Sequence, residues 1–278
     1  MRIAYCGYDF FGGCLEELIN EGNTILKIFT FQTDDKYNFK CNVEKIAQIN
    51  NIPISYEKPS REDIIELFDI QGCELIVTAG YIYKIPMIDN KMFKGINIHP
   101  TLLPKGRGPW PLPDIILREE EYSGVTIHQM TDEMDAGPIL IQEKFRVLEN
   151  EDLETLSCRS QMLAIQLVKK LMSNFTEYWN NAIPQVDGEY WEYPSEEVMT
   201  FSGLMKVKEI DKIIRAFGKF DSCASFMGKK WLIHDANCWE EEHQYVPNTV
   251  VHVTNKEVLL AAVDGFVCIR YFEEDTEE

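Results

Sequence analysis

Short apolar runs alternate with stretches of helical spacing through the first hundred residues. RIAYC (2–6) ends at Gly7, and FFGGCLEELINEG then carries apolar residues at helical intervals up to Gly22, so the pattern reads strand, loop, helix. TILKIFTF (24–31) predicts a second strand, VEKIAQINN a second helix and IPISYE a third short strand. SREDIIELFDIQG opens with Ser60 and, three residues on, Asp63, the spacing of a capping box, and closes on Gly72. CELIVTAG is apolar throughout, as strands buried on both faces are. This alternation predicts an α/β protein with a doubly wound, Rossmann-like parallel sheet.

GINIHP (95–100) reads as the next strand, PDIILREEE as a helix, and GVTIHQM and GPILIQEKF as two more strands. From Asp152 to about Asn181 the apolar stripe predicts one long amphipathic helix. At NNAIPQVDGEYWEYPSEE the texture turns polar and turn-rich, as a linker does. Beyond it come a helix, VKEIDKIIRAFG (207–218), and the strand-like runs KKWLIHDA, NTVVHVT, EVLLAAV and GFVCIRYF. The expected organisation is a catalytic domain over 1–188 and a small OB-like β-barrel with one helix over 189–278.

At 45% hydrophobic and 26% charged, a 278-residue chain has material for a large core and a smaller one. The N-terminus MRIAYCGYDF lacks the charged region and apolar block of a signal peptide, and no apolar run reaches the length of a span. The expectation is a cytoplasmic protein without membrane contact. Eight cysteines are scattered with no CxxC pair, which favours buried free thiols over a metal site. The formal net charge is −19, with EEE at 119–121 and 240–242 and the tail EEDTEE; such a field opposes a polyphosphate partner.

Two polar side chains interrupt an apolar strand at INIHPTLLP. Asn97 and His99 lie two apart, on one face of an extended chain, at the end of a strand where open sheets bind ligands. Asp135 follows the strand GVTIHQM in the loop TDEMDAGP. An amide can donate to a developing oxyanion, an imidazole can relay a proton, and a carboxylate can hold that imidazole. Neither motif carries a Ser or Cys nucleophile, so direct attack by a substrate is preferred to a covalent enzyme intermediate. The competing reading of Asn97 and His99 is as loop caps. His128 reads as a structural histidine, and His234, His243 and His252 form no constellation. CGYDFFGG does not spell GxGxxG, which weakens a nicotinamide reading.

The stretch INIHPTLLPKGRGPWPLPDIILREEEYSGVTIHQMTDEMDAGPILIQ resembles the signature region of the 10-formyltetrahydrofolate-dependent formyltransferases: N-x-H-x-S-L-L-P, then R-G, then G-V-T and D-x-G. Thr101 stands where the family usually has Ser and keeps the hydroxyl. The resemblance is strongest over 74–145 and continues weakly through DKIIRAF into the small domain, which is similar to the carboxyl-terminal domain of the methionyl-tRNA and aminoarabinose members. It implies catalytic roles for Asn97, His99 and Asp135, and 10-formyltetrahydrofolate as formyl donor with tetrahydrofolate as product. It also implies a pterin site against Tyr81, Ile82, Tyr83, Ile85 and Leu103 and the backbone of Glu133, Met134 and Asp135.

The family formylates methionyl-tRNA, glycinamide ribonucleotide and amino sugars carried on nucleoside diphosphates. A tRNA acceptor needs basic surface, and where the tRNA enzymes insert a basic loop this chain has FQTDDKYNFKCN, short and nearly neutral. Lys206, Lys208, Lys212, Arg215, Lys219, Lys229 and Lys230 are the remaining cations for such a surface. A sugar nucleotide asks for two phosphates to be neutralised; Lys105 and Arg107 are candidates for the charge and Trp110 for stacking, against a reading of the two cations as solvated loop charges. The expectation is a sugar N-formyltransferase of surface glycan assembly acting on a UDP- or dTDP-linked amino sugar, with methionyl-tRNA formyltransferase as the alternative and nucleic acid disfavoured. A folate-binding module without turnover is the reading from another class, and the small domain is the candidate for contact between copies in a homodimer.

Overall fold

The structure, a computed structural model, describes residues 1–32, 42–88 and 93–274, with the backbone alone at 219–221. Most of FQTDDKYNFKCN, Cys41 with it, and the last four residues of the acidic tail lie outside the described residues. The chain forms two compact units, one of residues 1–111, 122–146 and 158–191 and one of residues 112–121, 147–157 and 192–278.

The first unit is built on a seven-stranded sheet of β1 (Arg2–Gly7), β2 (Thr24–Phe29), β3 (Ile54–Ser55), β4 (Leu75–Ala79), β5 (Gly95–His99), β7 (Tyr122–Gln129) and β8 (Ile139–Arg146), in the order β3-β2-β1-β4-β5-β7-β8. A short ribbon pairs β6 (Lys105–Arg107) with β9 (Glu189–Tyr190). The sheet is mixed, which corrects the all-parallel expectation. β1 to β5 run parallel, whereas β5–β7 and β7–β8 are antiparallel. A parallel step needs a crossover with a helix; the nine residues between β7 and β8 instead form the loop that carries Asp135.

Alternation along β1 explains why both faces are apolar. Ile3 and Tyr5 join one core with Leu15 and Leu18 of α1 (Gly12–Asn20), Ile46 of α2 (Val43–Asn50), and Leu167 and Leu171 of α5 (Leu153–Ser173). Ala4 and Cys6 join the other with Ile64 of α3 (Arg61–Ile65) and with Leu67 and Phe68 in the π-helical turn that continues it. The capping box at α3 forms as the spacing predicts: Ser60 Oγ accepts from Asp63 N–H, and the Asp63 carboxylate accepts from Ser60 N–H.

The long helix expected from Asp152 breaks at Asn174, whose φ/ψ of −149°/49° leaves the helical region, and α6 (Phe175–Asn180) follows it. Ser173 Oγ donates to Lys170 O, the local competition by which Ser and Asn disfavour helix interiors. The stretch read as a linker is fastened to this unit at its start: Ile183 bridges Ile139, β9 pairs with β6, and Trp191 is buried.

The second unit contains α4 (Leu112–Leu117), α7 (Glu196–Met199), α8 (Val207–Asp221) and a six-stranded sheet of β10 (Thr200–Phe201), β11 (Cys223–Phe226), β12 (Lys229–Glu240), β13 (Val250–Val253), β14 (Val258–Ala261) and β15 (Gly265–Glu274). Its order is β10-β11-β12-β15-β14-β13, and no described pairing joins β10 to β13, so the pairing describes an open sheet rather than a closed barrel. Ile210, Ile213 and Phe217 of α8 are buried, as are Ile233, Val267 and Ile269 of the sheet.

Candidate active site

The site lies within the first unit, at the carboxyl ends of β4 and β5. β1 is the switch point of the sheet, with β2 on one side and β4 on the other, where open α/β sheets form their crevice. Close packing there requires glycine: a Cβ on Gly7 would stand 2.5 Å from Ala79 O, and Gly80 turns the chain out of β4 at φ +65°.

β5 divides its side chains by alternation. Ile96 and Ile98 enter the core, and Asn97 and His99 point to the opposite face. Antiparallel pairing sets His128 opposite Asn97 and Thr126 opposite His99. Asn97 is held at every polar atom. Thr78 Oγ1 donates to Asn97 Oδ1 at 2.8 Å, and Asn97 Nδ2 donates to Asp135 Oδ1 at 3.0 Å and lies 3.3 Å from His128 Nε2. His128 Nδ1 sits 2.8 Å from Gln129 O; a carbonyl requires a donor, so the proton belongs on Nδ1 and Nε2 is an acceptor for Asn97.

His99 is 4% exposed. Its Nε2 lies 2.7 Å from Gly106 O, which assigns the proton to Nε2 and leaves Nδ1 facing Asp135 Oδ1 at 3.7 Å. Burial holds the imidazole below its ordinary pKa, against the pull of the Asp135 charge and the Gly106 carbonyl. Asp135 moves the other way relative to its burial. Desolvation alone would raise its pKa, but the positive charge that His99 gains on protonation and the Gly108 N–H, which donates to Oδ2 at 3.0 Å, hold it well below the usual carboxylate range. The resting pair is therefore a neutral imidazole beside a carboxylate.

Asp135 itself has φ +53°, an unusual conformation that Asp tolerates better than most residues. Its loop is pinned from outside by Gln185, whose Nε2 donates to Asp135 O at 2.8 Å and to Gly137 O at 2.7 Å. Arg107 in turn donates to Gln185 Oε1 from Nε at 3.1 Å and Nη2 at 2.9 Å, with Nη1 3.5 Å from Glu133. Thr101, in the place of the family's serine, uses its hydroxyl to bond Lys105 O and Gly106 O, both at 3.1 Å, and so fixes the carbonyl that His99 meets.

The structure thus gathers Asn97 and His99 around one carboxylate, that of Asp135, at 3.0 and 3.7 Å. It also brings in residues that sequence reasoning missed. His128, read as structural, reaches within 3.5 Å of Asp135 Oδ1 and belongs to the cluster. Thr78, Thr126 and Gln185 support it, Thr126 by bonding Leu103 N–H and Thr101 O. The pairing of β5 with β7 is the signal that would have exposed His128, since it places GVTIHQM directly against INIHP.

The expected pterin residues separate by burial. Leu103 is buried, with its carbonyl bonded to Gln142 Nε2, and Ile85 is part of the second core cluster. Ile82, Tyr83 and Met134 are exposed, and so is the Glu133 side chain. Phe31, Tyr81 and Tyr83 form a ring cluster with centroids 5.5 to 6.4 Å apart. Among the described residues Tyr81 Oη is buried with no hydrogen-bond partner. An apolar aromatic wall with an orphaned hydroxyl suits a flat heterocycle with polar edges. Of the acceptor candidates, Lys105 is exposed, Trp110 is half-buried and the Arg107 side chain is mostly covered.

The family profile described as formyl transferase matches residues 29–171, just over half of the chain. The chain belongs to the formyl transferase family. It is a folate-dependent formyltransferase whose formyl donor is 10-formyltetrahydrofolate. Methionyl-tRNA formyltransferase of Staphylococcus epidermidis is 28% identical over 225 residues, covering 79% of this chain and 72% of that protein. The Ligilactobacillus salivarius enzyme of the same name is 27% identical over 283 residues, covering 96% and 87%.

Among solved structures, HypX from Aquifex aeolicus superposes with a TM-score of 0.75 at 20% identity; this formyltransferase is covered in full and spans 46% of the HypX chain. The N-formyltransferase from Helicobacter canadensis, in complex with folinic acid and dTDP-3-aminofucose, gives 0.65 at 20% identity and covers 98% and 99%. At these identities the two structures share the fold.

Among the described residues no helix is long and apolar enough to cross a membrane, and no three His, Cys, Asp or Glu side chains are set to hold a metal.

Proposed function

We propose that this enzyme formylates the primary amine of a nucleotide-linked amino sugar, of the UDP or dTDP type used in glycan assembly. The observation that carries the choice of acceptor is the pairing of five of the second unit's candidate cations with carboxylates. Lys208 and Lys212 both meet Glu119, at 3.5 and 2.7 Å, and Arg215 meets Asp211 at 2.7 Å. Lys229 meets Glu274 at 2.7 Å and Lys230 meets Glu196 at 2.6 Å. Binding to a phosphate backbone draws on cations that release condensed counterions, and cations already compensated by carboxylates on a chain of net charge −19 supply little of that. A diphosphate needs far less, and Lys105, Arg107 and the Trp110 ring are the groups we assign to it.

Chemistry at the site follows from the geometry. The donor supplies an electrophilic formyl carbon carried on nitrogen, and the aromatic wall of Tyr81 and Tyr83, with Ile82, Ile85, Leu103 and the Glu133–Asp135 backbone, is where we place its pterin. As the acceptor amine adds to that carbon, the formyl oxygen gains negative charge. Asn97 meets it with the amide hydrogen now shared with His128, the longer of its two bonds. The amine must lose one proton and the departing donor nitrogen must gain one. His99 Nδ1 is unprotonated and 3.7 Å from a carboxylate, so it can take that proton, hold it as an imidazolium facing Asp135, and return it.

Ligands that bind the native state raise its melting point by mass action. Among UDP, dTDP, CMP and GDP, a uridine or thymidine diphosphate should raise Tm at millimolar concentration, and tRNA at ~0.15 M salt should not. A shift with tRNA and none with any nucleotide would replace this acceptor with methionyl-tRNA.

A further inference from the structure

Gln185 lies fifty residues from Asp135 in sequence, within the stretch that reads as a linker, yet it holds the loop on which Asp135 stands. Its one amide nitrogen donates to two main-chain carbonyls, those of Asp135 and Gly137, at 2.8 and 2.7 Å. One carbonyl is that of Asp135 itself, which takes φ +53°, and the other lies two residues beyond it. The amide is oriented from behind. Its oxygen accepts two bonds from the Arg107 guanidinium, so the NH2 end has no choice but to face the loop. Arg107 is itself seated against Gly188, where an added Cβ would fall 2.1 Å from Cζ of the guanidinium.

We propose that Gln185 is a positioning residue for formyl transfer, a clamp that fixes the Asp135 carboxylate against His99 and is kept in register by Arg107. The proposal rests on the assignment of Asp135 to proton movement with His99. It gives Arg107 a duty in the enzyme itself, through Gln185, in addition to any contact with the acceptor. The clamp explains how a loop residue with an uncommon backbone conformation keeps one geometry. Its carboxylate is bonded at Oδ1 by Asn97 and at Oδ2 by Gly108, while its own carbonyl and that of Gly137, both on its C-terminal side, accept from Gln185.

Gln185→Glu separates a clamp from a mere partner for Arg107. The carboxylate is isosteric and keeps the Arg107 pair, strengthened by charge, but sets an acceptor oxygen against two carbonyl oxygens. If Gln185 serves only to anchor Arg107, the variant should behave as wild type. If it holds the loop, hydrogen exchange of the 131–137 segment should quicken by about tenfold or more, with the 122–129 strand unchanged. In transfer from 10-formyltetrahydrofolate to dTDP-3-aminofucose, kcat should fall by about thirtyfold or more with KM for the donor within about threefold.

Arg107→Lys, which retains the charge but not the fork, should quicken loop exchange to a lesser degree, and it serves if the Glu variant does not fold. Wild-type loop exchange in the Arg107→Lys and folded Gln185→Glu proteins would overturn the clamp. So would wild-type kcat in Gln185→Glu while Asp135→Asn is inactive. Failure of the underlying assignment looks different: Asp135→Asn would then turn over normally. The exchange arm needs no acceptor and decides the clamp even where the sugar is wrongly assigned.

Discussion

Replacing Asp135 by Asn keeps the shape of the side chain and removes its charge. In the native site that charge stands 3.7 Å from His99 Nδ1, and both groups are buried. Two unit charges at about 4 Å interact by about 4 kcal/mol at an effective dielectric of about 20, the value suited to such pairs. This interaction exists only when His99 carries the proton taken from the amine, so its loss falls on the transition state. The variant also reverses the preference of the imidazole. An Asn amide facing Nδ1 donates to the neutral ring and stabilises the form that has not yet taken the proton.

About 4 kcal/mol corresponds to roughly three decades in rate. Asp135→Asn should therefore lower kcat for formyl transfer about 10³-fold while leaving the melting temperature within a few degrees, because Gly108 N–H can still donate to the Asn oxygen and Asn97 Nδ2, which loses its bond to Oδ1, keeps His128 Nε2 as acceptor. Tetrahydrofolate release under saturating donor and acceptor is the assay. A loss of less than about tenfold would refute the reasoning, since the carboxylate would then have no strong coupling to the proton on His99.

Two further outcomes follow from the same geometry. Thr78→Val removes the hydroxyl that holds Asn97 Oδ1 at 2.8 Å, and with a bond of this kind worth about 1 kcal/mol, kcat should fall about fivefold with KM for either substrate little changed. Acid should destabilise the protein through His99. Its folded pKa lies below the unfolded value of about 6.5, so between the two the unfolded chain binds more protons and stability is lost as pH falls from about 6.5 toward the folded value. Tm should therefore decline more in the wild type than in His99→Gln between about pH 7.5 and about pH 5.5. Asp135 adds a loss of the same sign only below about pH 3.9, where its unfolded carboxyl protonates first.

Local chemistry was legible from the sequence wherever partners are near neighbours. The Ser60–Asp63 capping box needs only i to i+3 spacing, and the opposition of Ile96 and Ile98 to Asn97 and His99 needs only the two-residue period of a strand. What escaped depends on pairing between distant segments. The antiparallel turn of β7 sets His128 across from Asn97, and an isolated GVTIHQM carries no sign of that register. Gln185 was hidden because its neighbours have linker composition, whereas its function comes from bonds to residues 107, 135 and 137. The break at Asn174 escaped because an apolar stripe continues through it. The Ser173–Asn174 pair is the local cue, and tertiary packing decides whether such a pair interrupts a helix.

The acceptor is where the relatives and the electrostatics part. Curated relatives at 27 to 28% identity are methionyl-tRNA formyltransferases, while the acidic surface and paired cations of this chain favour a small anionic acceptor. Formyl transfer from 10-formyltetrahydrofolate, measured as kcat/KM for dTDP-3-aminofucose and for methionyl-tRNA under one buffer at ~0.15 M salt, separates them directly. The account predicts at least about a hundredfold preference for the sugar nucleotide, and a preference for methionyl-tRNA would contradict it.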